Sequence, residues 1–372
     1  MKICIFSSSS VPVPTWRWTG YGSEIVAWWL ARELARRGHS VALFAPYSSV
    51  PPDGVEIYYI PSSYGLNNPQ AELAGLRRNL NALKECDVVH DMSANSIAAE
   101  WSWLIGRPVV TTKNGYDITK PASNRRNVVV ISESVRSYFE RMDELAYDRR
   151  VHYEVVPYGV PVDEYPFSNL KGKYVLYLGR PHPSKGVDLI LKAAAKLRDV
   201  KFLLAWRPTF YDHMDYHAKY LKAARGLGNV HIFVLPGGWT GEQAKRAILS
   251  RARLFVQPTI YLEAFGLTAA EAMAAGTPVL LSTAGSGLEL VKDGVGLLVR
   301  NKLDLLQQAN EWHKHIDDAI DVEELAQKIG EGLETKWSYG EIREYTKERF
   351  DISRMADSYI KLYEKALRGG WG

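Results

Sequence analysis

Long apolar runs, cysteine and net charge are all scarce in this chain, and each shortage excludes something. No hydrophobic stretch approaches the roughly 20 residues that cross a bilayer. The opening Lys2-Ile3-Cys4-Ile5-Phe6 is too short for the core of a secretory signal and reads as a first strand. Two cysteines in 372 residues, Cys4 and Cys86, cannot make a disulfide framework. Each lies in or beside an apolar run, so both are expected as buried, reduced thiols of a cytoplasmic protein. A formal net charge of +4 is small for this length and argues against a nucleic-acid binder. Basic pairs recur in the first half, at Arg77-Arg78, Arg125-Arg126 and Arg149-Arg150, and they either form solvated faces or meet an anionic surface. Asp-x-Asp, a ready chelator of a divalent cation, is absent.

What is present is alternation, over a length that allows two domains with separate cores. Short apolar runs at 3–7, 41–46, 57–61, 88–90, 109–112, 128–131 and 155–156 read as buried strands. Segments of helical period at 23–37, 69–84 and 132–147 lie between them. That order predicts an α/β fold with a parallel sheet covered on both faces. After the Pro-rich stretch 153–167 a second alternating set begins, with strands at 174–178, 202–205, 230–234, 254–256, 279–281 and 297–299. The hinge is therefore placed at 163–173, with a last helix at 352–367.

The most informative stretch is PTIYLEAFGLTAAEAMAAGTPV, residues 258–279. It reads as strand, loop, helix, strand, with Phe265, Gly266 and Leu267 at the helix entrance. Backbone N–H groups there lack intrahelical partners and suit a phosphate or a sugar hydroxyl. Thr268 and Glu271 have the spacing of a capping box, and Gly276 is placed to end the helix. Glu263 and Glu271 frame the loop with seven residues between them. On spacing alone, a helix cap and a solvated acid explain them as well as a site does.

The whole string E-A-F-G-L-x-x-x-E-A-M-A-x-G-x-P-V, however, resembles the donor-site signature of retaining glycosyltransferases, in particular glycosyltransferase family 4. That resemblance implies that Glu263 binds donor-sugar hydroxyls, that Ala264, Phe265, Gly266 and Leu267 line sugar and phosphate, and that Glu271 holds the ribose. Gly179-Arg180 followed by Lys185-Gly186, two cations between a strand and a helix, is similar to the family's phosphate grip. A guanidinium and an ammonium suit a diphosphate leaving group. LARRGHSVALFAP resembles the family's opening unit, and Gly22-Ser23-Glu24 its glycine loop. Gly20-Tyr21-Gly22 is no dinucleotide fingerprint, since the glycines fall too far after the strand and Ile25 stands where a third glycine belongs. Flexible backbone at the mouth of a sheet, with Gly20 and Gly22, fits a donor-phosphate loop better, and a plain turn capped by Ser23 is the alternative.

Two segments sit less comfortably. The family carries His-x-His where this chain has His90-Asp91-Met92. His90 is kept as a candidate catalytic residue beside Glu263, Arg180 and Lys185, against a purely structural histidine. Asp212, His213, Asp215 and His217 resemble a metal cluster, but Met214 occupies the position of the glutamate a zinc hydrolase needs, so no metal is assigned.

The resemblance, which covers nearly the whole chain, implies two Rossmann-like domains facing a cleft, the GT-B fold. Residues 1–165 with a returning helix in 350–372 would form the acceptor domain, and 166–349 the donor domain. The implied activity is metal-independent transfer, with retention, from a UDP- or GDP-sugar to a hydroxyl of a glycan, lipid or small molecule, with no cofactor beyond the donor. Rival readings are a nucleotide-sugar epimerase and a noncatalytic nucleotide-sugar-binding subunit. Trp16, Trp18, Trp28, Trp29, Trp101 and Trp103 crowd the first domain, either as core or as a surface for an acceptor or the inner membrane face.

Overall fold

The computed structural model describes residues 1–15, 22–63, 68–116, 126–147, 151–208 and 211–371. They divide into two compact units, the described residues of 1–159 with 352–371 and those of 160–351. The division expected from sequence lay at 165/166 and 349/350.

The first unit holds seven strands, β1 (Lys2–Ser7), β2 (Ser40–Pro46), β3 (Val55–Ile60), β4 (Val88–Met92), β5 (Val109–Lys113), β6 (Val128–Val130) and β7 (Tyr153–Val155). They pair in the order β3-β2-β1-β4-β5-β6-β7, every pair parallel. Ile3 pairs with Val41 on one side and Val88 on the other. Every residue of β4 is buried, as a strand covered on both faces requires. Cys4 and Cys86 depart from expectation. Both enter the core cluster with Leu83 and Val89, their Cα atoms lie 5.9 Å apart, and the structure joins them as a disulfide rather than leaving two thiols. Parallel pairing of β1 with β4 is what makes residues 82 apart in sequence into neighbours.

One expected helix is two. Asn68 accepts from the Gln70 and Ala71 amides and Pro69 occupies the first turn, so the helix starts where sequence predicts. It stops at Arg78 because Asn79 leaves helical geometry (φ −107°) and its side-chain amide donates to the carbonyls of Gly75 and Tyr59. Such a side chain competes with the helical ladder. A second helix follows at Leu80–Lys84. The last helix, Ile352–Leu367, belongs to this first unit, where Arg37 donates to the Ser353 carbonyl.

The second unit repeats the plan with β8 (Tyr174–Leu178), β9 (Lys201–Trp206), β10 (Val230–Val234), β11 (Leu254–Gln257), β12 (Val279–Ser282) and β13 (Gly296–Val299). Their order is β10-β9-β8-β11-β12-β13, again all parallel. In both sheets the chain order reverses beside the first strand, between β1 and β4 and between β8 and β11. Loops leaving the carboxyl ends there diverge to opposite faces and open a crevice, the usual place for a ligand in such sheets.

In the second unit the two loops at this reversal touch. Ile260 N–H donates to the Ser184 carbonyl at 2.9 Å. Gly186 has φ +76°, and a Cβ built on it would lie 2.1 Å from the Pro258 carbonyl oxygen. Gly186→Ala should therefore strain the backbone and push the loops apart, lowering the second unit's stability by more than about 2 kcal/mol. Denaturant unfolding of variant and wild type measures this; equal midpoints would show that the loops tolerate separation.

Candidate functional site

After β8 the chain turns through Gly179 and Arg180 into a short 3-10 helix, Pro183–Lys185, capped by the His182 side chain. The turn delivers the Lys185 ammonium into the interior, where it donates to Glu263 Oε2 at 2.6 Å and to the Tyr261 hydroxyl at 3.0 Å. The Nζ also lies 4.7 Å from the Tyr261 ring centroid. Only 10% of the Lys185 side chain and 14% of the Glu263 side chain are exposed. Burial disfavours the ammonium, but Glu263 and Tyr261 outweigh it, and Lys185 titrates above the ordinary lysine range. Glu263 is held further by the Tyr261 hydroxyl at 3.3 Å and by Gln257 and Thr259 at 3.4 Å. Arg180 is half-buried and near enough to Lys185 to oppose its charge. Among the described residues no carboxylate pairs with it.

The capping box does not form. Gly266, at φ +85°, is the cap residue of the helix Leu267–Ala274, and no side chain caps it. Thr268 instead donates to Gln257 Oε1 at 3.2 Å. Glu271 turns inward, 3% exposed, and its Oε1 accepts from the Tyr165 hydroxyl at 2.7 Å and the Lys245 ammonium at 2.8 Å. Among the described residues nothing bonds to Glu271 Oε2. Lys245 also meets Glu242, at 2.9 Å, and Glu242 pairs with Arg246. Burial opposes the Lys245 charge and the two carboxylates outweigh it, raising its pKa. The i,i+3 and i,i+4 spacing of Glu242, Lys245 and Arg246 on the helix Gly238–Arg251 was legible; their link to Glu271 was not. Phe265 is buried and packs its ring edge-on against Phe350. Ala264 and Leu267 are half-buried on either side of Phe265 and Gly266.

Beside Glu263 lies a small, half-open pocket lined by Gln257, Thr259, Glu263, Gly266, Ser282 and Ser286 among others. The structure thus brings Arg180, Lys185, Glu263 and Gly266 together at the ends of β8 and β11, with Glu271 on the helix that follows.

His90 and Gly22 belong to the first unit, and Gly20 lies outside the described residues. His90 is fully buried at the sheet centre, Nε2 2.7 Å from Thr112 Oγ1 and Nδ1 2.8 Å from the Tyr363 hydroxyl. With both ring nitrogens engaged and its ring packed on Tyr359 and Tyr363, it has no face for a substrate and takes no part in the chemistry proposed below. Gly22 opens the helix Gly22–Arg36. The neighbouring Ser23 bonds Glu24, whose carboxyl is buried and pushed up by burial. Sequence reasoning missed Glu72, buried and accepting amides of Ser9, Ala94 and Asn95, so that it ties the loop after β1 to the loop after β4. Burial and the nearby Asp91, opposed by Asn95, push its pKa up to about 7.

Trp28 and Trp29 are core residues, and Trp101 stacks with Arg77, whereas Trp103 is 73% exposed. Arg78 lies over the Tyr47 ring. Trp16, Trp18, Tyr21, Arg125, Arg149 and Arg150 lie outside the described residues. His217 accepts from the Trp206 indole at 2.9 Å, and among the described residues no group of three or more His, Cys, Asp or Glu is placed to hold a metal. No described helix is long and apolar enough to cross a membrane.

The family described as Glycosyl transferases group 1 matches residues 163–335, and Glycosyltransferase Family 4 matches residues 21–164. This chain belongs to the group 1, family 4 glycosyltransferases. The D-inositol 3-phosphate glycosyltransferase of Mycobacterium tuberculosis (strain ATCC 25618 / H37Rv) is 33% identical over 164 residues, 44% of this chain and 31% of that protein. The match thus spans about a third of the curated relative's length. AviGT4, a glycosyltransferase involved in avilamycin A biosynthesis, superposes with a TM-score of 0.67 at 21% identity over 100% of both chains. Anabaena Alr3699/HepE, solved in complex with UDP and glucose, gives 0.67 at 19% identity over 98% of this chain and 100% of that one. The fold is that of these GT-B glycosyltransferases, two Rossmann-like units in one chain.

His90 also makes a stability prediction. Burial lowers its pKa from 6.5 to about 3, so the unfolded chain takes up the proton first on acidification. The neutral ring's contribution is complete above pH 6.5 and is lost as pH falls toward 3, at up to about 1.4 kcal/mol per pH unit. In urea titrations from pH 7 to 4, His90→Gln should be less stable than wild type at pH 7 and should narrow the gap as pH falls. A constant gap would assign the acid limb to other groups.

Proposed function

We propose that this protein transfers a sugar from a nucleoside diphosphate sugar, UDP- or GDP-linked, to a hydroxyl acceptor with retention at the anomeric carbon. The observation that carries the reading is the buried Lys185–Glu263 pair with Arg180 beside it, at the chain reversal of the second sheet and next to the start of the helix Leu267–Ala274. The UDP and glucose bound by the Anabaena neighbour, and the glycosyltransferase name of the mycobacterial relative, support the same reaction class.

In this scheme the diphosphate lies against Arg180 and the unpaired amides at the Leu267 helix start, with Lys185 behind them. As the anomeric C–O bond breaks, its electron pair goes to the β-phosphate, and fixed positive groups stabilise that charge without reorganising. The acceptor oxygen forms the new bond on the same face and passes its proton to the departing phosphate. No protein nucleophile and no metal is invoked. Glu263 accepts hydrogen bonds from the sugar. Glu271, fixed through Oε1 by Lys245 and Tyr165, offers Oε2 to the ribose hydroxyls.

Transfer assays with a panel of UDP- and GDP-sugars and simple hydroxyl acceptors, with the product's anomeric configuration read by NMR, test the reaction class. Arg180→Ala should lower kcat/KM by at least about tenfold, the scale of a lost charge-assisted bond. Glu263→Gln should lower turnover at near-normal donor KM, and Glu271→Gln should do the reverse. An isomerised donor released without acceptor, or unchanged kinetics in Arg180→Ala, would overturn the assignment.

A further inference from the structure

We propose that the Ser286 hydroxyl reads a hydroxyl of the donor sugar, which makes Ser286 a specificity-determining residue of the cavity beside Glu263; this rests on the nucleotide-sugar reading above. The turn after β12 is clamped to Glu263. Ser286 N–H donates to the Glu263 carbonyl at 2.9 Å, and Gly285 takes φ +55° where a Cβ would lie 2.1 Å from that same carbonyl oxygen. Ser286 is thereby fixed in the cavity wall, 1% exposed.

Among the described residues its side chain has no hydrogen-bond partner. The Oγ is buried without a hydrogen bond, although Ser286 stands at the cap position of the helix Gly287–Leu290, where a serine usually bonds the first amides. The other polar side chains of the wall are engaged. Gln257 meets Thr268 and Glu263, Thr259 bonds Glu263, and Ser282 bonds the Thr259 carbonyl. A buried hydroxyl left unbonded is a standing cost to the fold, and a ligand group that bonds it relieves that cost.

The ligand group is a neutral hydroxyl rather than a phosphate. The lining contains the Glu263 carboxylate and no lysine or arginine, so an anion entering it would meet repulsion. A sugar hydroxyl both donates and accepts, and it matches a serine that does both. A site built to bond such a group discriminates strongly against sugars that lack it or direct it elsewhere.

Calorimetric titration of wild type and Ser286→Ala with UDP, GDP and ADP, and with their glucose, galactose and mannose esters, tests the proposal. For the ester that wild type binds best, Ser286→Ala should lose about fivefold or more in affinity. Affinity for the matching free diphosphate should stay within about twofold, and the ligand-free melting temperature should hold or rise. Equal losses for ester and diphosphate, or no loss for either, would overturn the role of Ser286. If wild type binds the diphosphate and none of the esters, the sugar site is misplaced; if it binds neither, the nucleotide-sugar reading falls first. Should Ser286→Ala not fold, Ser286→Gly carries the same comparison.

Discussion

The buried ion pair between Lys185 and Glu263 is the constraint on which the second unit's site depends. Two side chains from separate loops, 78 residues apart, meet at 2.6 Å in a place where neither is much hydrated. Leaving either alone there would cost on the order of 3–5 kcal/mol, because a buried charge without a partner is far worse than a buried pair. Further hydrogen bonds from Tyr261, Thr259 and Gln257 help to offset the burial of the pair. Its position follows from topology, since β8 and β11 are adjacent only because the strand order reverses between them. Glycine completes the arrangement on both sides. Gly186 lets the first loop press on Pro258, and Gly285 lets the turn after β12 press on Glu263 itself.

The first unit solves the same topological problem with one carboxylate. Glu72 accepts amides from the loops after β1 and β4, across the corresponding reversal, and among the described residues no cation pairs with it. Its pKa is raised chiefly by burial, with the nearby Asp91 adding to it. Both crevices are thus braced by buried acids reaching between loops, and in the second the acid is paired with a lysine.

Much of this was legible in the sequence, because strand and helix alternation is a local signal and the string from Glu263 to Val279 is long enough to be specific. The parallel sheets, the helix after Gly266 and the cations after β8 all follow from it. What could not be read is what long-range packing decides. Thr268 and Glu271 have the spacing of a capping box, yet Gln257 and Lys245 take them instead, from 11 and 26 residues away. Asn79 breaks a helix whose periodicity runs on, because the Tyr59 carbonyl lies within its reach. Cys4 and Cys86 look like isolated thiols until β1 and β4 pair. His90 lies at a strand end where crevice ligands collect, and only the last helix, bringing Tyr359 and Tyr363 over it, decides for a structural role.

The polar atoms left over around the Lys185–Glu263 pair form a consistent set: the Arg180 guanidinium, Glu271 Oε2, the Ser286 hydroxyl and the amides at the Leu267 helix start. The most direct test is a crystal structure with the nucleotide sugar that stabilises the protein most. The account predicts the diphosphate within hydrogen-bond distance of Arg180 and the amides after Gly266, with the sugar against Glu263. A nucleotide bound elsewhere, with the Lys185–Glu263 pair untouched, would contradict it.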